Sequence, residues 1–269
     1  MNNQAFFIQV GALAEGFAPE SYALPFYTHL AGQRWDIYFP DGEMQHCHFS
    51  EGNRLNWNNG PEVFYRVTSI RDDILFIDFL DPLSANQSIS LACDLHQQSC
   101  TVIYGRLPDE VEVRKDAFSR VEKGLPLTAV EVNMQFATLN RPYQDDWRLH
   151  HPTDELIGMR NLYRYNPSEC YEHIYLNENF YAWHCLQGVE QGLADVDRCY
   201  YVKLAEQLYL FIWCEKIVPT LGVVLIDLQG LRTDGKIFGY QGSDFSALVN
   251  FAMGARAQLL NKTNYPVGI

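Results

Sequence analysis

A chain of 269 residues exceeds the usual span of one hydrophobic core, and its 47% apolar and 14% aromatic content is enough to fill two. A net charge of −13 and a pI near 5.0 repel phosphate backbones and anionic lipid, with no Lys/Arg cluster to offset them, so nucleic acid is not expected as a partner. The opening Met-Asn-Asn-Gln-Ala-Phe-Phe-Ile-Gln-Val lacks the basic start and long apolar core of a secretory signal, and no apolar run reaches membrane-spanning length. A cytoplasmic protein without a membrane partner is therefore expected.

Between Leu30 and Leu107 short aromatic and β-branched runs alternate with turn signals such as Pro40-Asp41-Gly42 and Asn58-Asn59-Gly60-Pro61, the signature of meandering strands. A polar helical stretch, Val111 to Gly124, follows. From Leu127 to Leu139, Ala129, Glu131, Asn133 and Gln135 alternate with Val130, Val132, Met134 and Phe136, which is strand periodicity rather than a loose linker. Between Leu156 and Tyr240 the strand pattern recurs in the same order. Gly32 and Gly158, Asn53 and Asn179, and Trp57 and Trp183 all stand 126 positions apart. After a gap, Ile74–Asp81 lies over Leu208–Glu215, and Asp94-Leu95 over Asp227-Leu228. Asp234-Gly235, flanked by strand-like residues, predicts a hairpin. Ser243-Asp244 offers an N-cap ahead of Phe245, Leu248, Phe251, Ala252 and Ala255, spaced for a second helix.

The chain thus reads as a duplicated unit. An open sheet of six or more short antiparallel strands would expose long edges, so each copy is expected to close. The predicted architecture is all-β, two tandem lipocalin-like (calycin) antiparallel β-barrels, each with a bracing helix. The expected domains are residues 1–126, a connecting strand segment at 127–148, and residues 149–269. Seven scattered cysteines, Cys47, Cys93, Cys100, Cys170, Cys185, Cys199 and Cys214, fit no disulfide framework and contain no Cys-x-x-Cys pair; they read as reduced packing residues.

Three segments, Val10–Pro19, His151–Gly158 and Phe211–Gly222, resemble the MoaF family, and the similarity extends over nearly the whole chain. The resemblance implies a calycin-like double barrel. The family name points to molybdenum-cofactor biosynthesis but implies no pterin chemistry. The second copy also resembles phenolic acid decarboxylases, single barrels that act on p-hydroxycinnamic acids without a cofactor. That match runs from Ile157-Gly158 through Tyr163-Arg164-Tyr165, Tyr171-Glu172 and Lys203-Leu204 to Trp213-Cys214-Glu215. It implies that Tyr163 and Tyr165 orient a substrate and that Glu215 is the acid. The arginine those enzymes carry after a loop glycine is missing, because Leu193 follows Gly192. Arg160, Arg164, Arg198 and Lys216 are the candidate substitutes, although alternation puts Arg164 on the face opposite both tyrosines.

Read from the residues alone, Tyr163 and Tyr165 share one strand face and can donate to a carboxylate, carbonyl or phenolate; the alternative is two lining or surface tyrosines in a chain of sixteen. Glu215 alternates with Trp213 and Phe211. Beside those rings its pKa should rise towards that of a proton donor; the alternative is a solvated strand-end carboxylate next to Lys216. Tyr171 and His173 share a face and are candidate ligand contacts together with Trp213; the alternative for His173 is a buried, hydrogen-bonded core histidine. His46 and His48 form a His-x-His pair without further ligands at any fixed spacing, so no metal is expected. In the first copy Ile37 and Phe39 replace the two tyrosines and Asp81 replaces Glu215, which directs chemistry to the second barrel. No nucleotide-binding or hydrolase motif is present and no cofactor is called for.

The leading expectation is a barrel holding an aromatic or phenolic small molecule in its C-terminal half. The alternatives are a cofactor-independent lyase, isomerase or cyclase using Glu215, Tyr163 and Tyr165, or an interaction role, which a self-filled second barrel would support. Homo-oligomerisation is left open.

Overall fold

The duplicated pattern is realised strand for strand. The computed structural model describes residues 6–266. It begins with helix α1 (Val10–Phe17), followed by β1 (Arg34–Tyr38), β2 (Met44–Ser50), β3 (Arg54–Trp57), β4 (Glu62–Arg71), β5 (Ile74–Leu80), β6 (Gln87–Asp94) and β7 (Ser99–Arg106). Two short helices, α2 (Glu110–Val113) and α3 (Ala117–Glu122), precede β8 (Glu131–Leu139). Strand β8 pairs with both β7 and β1 and closes the first antiparallel barrel. The segment expected to connect the domains thus supplies the closing strand.

After β9 (His151–Pro152), a second barrel is formed by β10 (Met159–Arg164), β11 (Cys170–Tyr175), β12 (Phe180–Gln187), β13 (Ala194–Ala205), β14 (Leu208–Glu215), β15 (Thr220–Asp227), β16 (Arg232–Tyr240) and β17 (Leu248–Lys262). Closure runs through β17 on β10 and β12 on β13. The copies agree in detail: Leu95 N–H donates to the Asp73 carbonyl at 2.8 Å, and Leu228 N–H to the Gln207 carbonyl at 2.9 Å. Gly32 and Gly158 hold nearly the same left-handed backbone, φ +82° and +84°.

Two sequence expectations are corrected. Residues Leu248 to Ala255 form strand β17, not a helix. Met253, Ala255 and Ala257 enter the core at period two, and β17 is the strand that links β16 to β10, so closure of the barrel overrides the helical spacing. The Asp234-Gly235 pair lies inside β16 rather than at a hairpin tip; the β15–β16 turn falls before it, with Leu231 at φ +50°. The helix that braces the second barrel is α1, from the far end of the chain, which packs on β16 and β17.

The barrels meet through their outer faces. Strands β5, β6, β14 and β15 are buried along almost their whole length, which explains the near-continuous apolar runs of β5, β14 and β15. Ile70, Phe76, Ala92 and Ile103 share one cluster with Leu210, Ile212, Leu221 and Val223. A Cβ on Gly105 would lie 2.0 Å from a Leu221 methyl, so any larger residue at this close approach would have to displace that side chain. Charged ties cross the seam: Arg66 and Thr68 reach Asp234, Arg71 reaches Asp227, and buried Lys236 Nζ stands 2.7 Å from Asp78.

Candidate functional site

Alternation along β10, β11, β12 and β14 directs one side-chain set inward, and in the second barrel that set is largely aromatic. Val10, Leu13 and Phe17, at spacings of three and four, turn one face of α1 onto it and are all buried. Asn166 anchors the helix C-terminus, its Nδ2 donating to the Gly16 and Phe17 carbonyls at 2.9 and 3.4 Å. Phe17 stacks on Tyr165 with ring centroids 4.6 Å apart at 25°.

Beneath the helix remains a cavity of about 30 Å³, room for a water or two but not for an aromatic ring. Leu13 and Phe17 form its roof, and Tyr165, Tyr171, Tyr181, Trp183, Trp213 and Ile237 its apolar walls. Three titratable side chains also line it: His173, Glu190 and Glu215. Burial holds His173 neutral, its pKa lowered to about 3, and its Nδ1 has no hydrogen-bond partner among the described residues. Burial pushes Glu190 up to about 7, helped by nearby Glu169 and opposed by the Tyr171 hydroxyl, which donates to it at 3.2 Å. Glu215 is raised well above the ordinary carboxylate range by burial and then by the negative charges of Asp197 and Glu190. Trp213 Nε1 donates to Glu215 Oε1 at 2.9 Å.

Of the six site residues expected from sequence, Tyr165, Tyr171, His173, Trp213 and Glu215 converge on this cavity. Tyr163 does not line it. Its hydroxyl is 2.7 Å from that of Tyr175 and accepts from Asn161 Nδ2 at 2.9 Å, while its ring packs edge-on to His173. No Lys or Arg lines the cavity. Leu193 is part of the core; Arg160 pairs with Glu172 on the outer face, and Lys216 with Asp195 and Asp197. Sequence reasoning missed Leu13, Phe17, Tyr181, Trp183 and Glu190. The spacing of Val10, Leu13 and Phe17 was a legible signal, whereas Glu190 sits in a polar loop with no periodicity.

Among the described residues, those turned into the first barrel form a largely apolar core. Ile37 and Phe39 lie in an apolar core, and Asp81 sits at the rim, accepting from the Leu83 amide and the Gln87 side chain. His46 Nδ1 is 2.8 Å from Asp36, and no group of three His, Cys, Asp or Glu among the described residues is arranged to hold a metal. All seven cysteines are free and buried.

Two closed eight-stranded antiparallel barrels packed back to back, the second with a helix-capped aromatic cavity, define a tandem lipocalin-like protein. Residues 5–109 match the MoaF N-terminal domain and residues 150–263 the MoaF C-terminal domain. Protein MoaF of Klebsiella aerogenes is 54% identical over 265 residues, covering 98% of this chain and 99% of that one. The chain belongs to the MoaF family. Among solved structures, a Burkholderia vietnamiensis protein provisionally described as a beta-lactamase aligns with TM-score 0.34 and 11% identity. That alignment covers 39% of this chain and 95% of that one, and is too distant to carry an argument.

Proposed function

We propose that the second barrel binds a small aromatic molecule, with Phe17 occupying the ligand's place in the closed form. The observation that carries this is the convergence of His173, Glu190 and Glu215, one with an unpartnered buried nitrogen, on an otherwise aromatic cavity. A core that served packing alone would gain nothing from these groups, since burial opposes ionisation of all three and the unpartnered His173 Nδ1 costs about 1–3 kcal/mol. Withdrawal of α1 takes Leu13 and Phe17 out together and leaves the exposed face of Tyr165 for a ligand ring. Two carboxyl groups and no cation favour an uncharged or cationic aromatic, including a phenol, over a free aromatic acid. The test is a thermal-shift screen with phenols, aromatic amines, aromatic acids and pterins. Stabilisation by neutral or cationic aromatics is expected; stabilisation by none of the set sinks the reading in favour of an interaction role.

A second reading, a cofactor-independent lyase, isomerase or cyclase, draws support from Glu215, whose pKa burial raises well above the ordinary carboxylate range beside Tyr165, the direction a proton donor needs. Tyr165 would orient the substrate, with Tyr163 acting through His173 and Tyr175 rather than by contact. On this reading Glu215→Gln abolishes conversion of a bound aromatic, followed by mass spectrometry, while binding persists. No conversion by the wild-type protein of any ligand that binds leaves the binding barrel alone.

A further inference from the structure

A second concavity, of about 680 Å³, lies outside both barrels, between the 107–132 segment of the first half and the outer face of β12 and β13. That volume falls in the range of small-molecule sites, and the junction of two domains is a common place for them. Its walls include Leu125, Leu127, Phe180 and Val196, large apolar side chains that are all more than a third exposed. Apolar surface gathered into a groove, rather than scattered singly, marks a place where something docks.

The charges in the groove decide what. Four cations and three carboxylates line it. Arg106 is paired with Glu131. Buried Arg120 donates to the Pro126, Glu112 and Thr128 carbonyls and pairs with Glu112, and Lys216 is paired with Asp195 and Asp197. Asp109 caps α2 through the Glu112 amide. Arg198 is left over. It donates once, to Asn179 Oδ1, its guanidinium lies 4.7 Å over the Tyr200 ring, and no carboxylate among the described residues is within ion-pair distance. The stacking fixes the plane of the guanidinium and leaves donors open towards the groove.

We propose that this groove is a second ligand site, for an amphipathic monocarboxylate, with the carboxylate on Arg198 and the apolar body against Leu125, Leu127, Phe180 and Val196. In a protein of net charge −13 a lone unneutralised guanidinium is the one feature of the groove that attracts an anion, and its fork matches a carboxylate. The site is independent of the barrel cavity, whose lining disfavours acids.

The probe is 2-naphthoate, titrated calorimetrically into the full chain, with 2-naphthylmethanol as its uncharged counterpart. Naphthoate is expected to bind once per chain, and the alcohol, which the barrel cavity also accepts, to displace it from the groove only at about tenfold higher concentration or more. Arg198→Gln is expected to weaken naphthoate by about tenfold or more, and Arg198→Lys by less. Leu127→Asp, at a side chain exposed enough to spare the fold, places a like charge in the groove and is expected to abolish binding. Displacement of naphthoate by an equal concentration of the alcohol, unchanged affinity in both Arg198→Gln and Leu127→Asp, or no heat at millimolar naphthoate would each overturn the proposal.

Discussion

Ionising Glu190 places a negative charge over the aromatic floor of the cavity and beside Glu169, and the fold resists it. The carboxyl keeps its proton to about pH 7 when folded, against an ordinary value of 4.5, so the native state binds more protons than the unfolded chain between these values. The stability this group contributes is therefore full below pH 4.5 and is lost as the pH rises towards 7. Glu190→Gln, which cannot ionise, should melt close to wild type at pH 4.5 and several degrees higher at pH 8; melting scans at the two pH values check this, and an equal offset at both would refute it. His173 acts in the opposite sense. Its folded pKa, lowered to about 3 from 6.5, makes stability fall as the pH drops through that interval, and His173→Phe should flatten this acid limb. Five of the six residues named from sequence line the cavity, because the decarboxylase resemblance singled out Tyr165 and Glu215 and a strand of period two declares which residues share a face, as Glu215 does with Trp213. Tyr163 satisfied the same rule but sits deeper in the barrel, where Asn161 and Tyr175 use up its hydroxyl, a depth that alternation does not encode.

At the scale of elements, α1 decides whether the cavity is open. Burying Val10, Leu13 and Phe17 contributes about 1.5–3 kcal/mol each at most, and Phe17 alone fills the space against Tyr165, Tyr171 and Phe251. Phe17→Ala should cost about 3 kcal/mol in chemical denaturation and at the same time strengthen binding of an aromatic such as phenol. A destabilised variant with no gain in binding would show that Phe17 is core and not a ligand's substitute. Gly11→Ala should loosen the helix as a whole, because its Cβ would lie 2.5 Å from the Gln241 carbonyl oxygen, and should make the cavity reachable without removing an aromatic. The elements were mostly readable from pattern. The helix expected at Ser243 was not, since Leu248, Phe251, Ala252 and Ala255 fit a helical face on paper. What makes them a strand is two neighbouring strands left without partners, a constraint set in β10, where Arg164 pairs with Arg256, 92 residues further along the chain.

For the whole molecule, the seam between the barrels couples them. Lys236 is buried, and its partner Asp78 also accepts from Ser90 and Asn250 at 2.8 and 2.6 Å. Asp78→Ala strands that ammonium and should cost about 3–5 kcal/mol, read as a lower denaturation midpoint, whereas the paired change Asp78→Leu with Lys236→Met should cost much less. Equal losses in the two variants would remove the ion pair from the account. The tandem architecture was legible through the 126-residue spacing, and the near-continuous apolar runs of β5 and β14 follow from strands that are covered on both sides. That the cover is the other barrel, and that the first helix serves the last strands, no local pattern states. Residues 149–269 produced alone should fail to give a cooperative melt, since they lack α1 and expose the seam.

The placement of α1 also fixes an order of events during synthesis. The first barrel has all its strands once residue 139 has left the ribosome, whereas α1, made before any of them, packs on β16 and β17 and so has no surface to dock on until residue 262 emerges. At ordinary elongation rates its apolar face waits on the order of ten seconds or more. Through that interval the helix depends on the nascent chain or a chaperone for cover, and sealing of the second barrel waits for β17 to emerge.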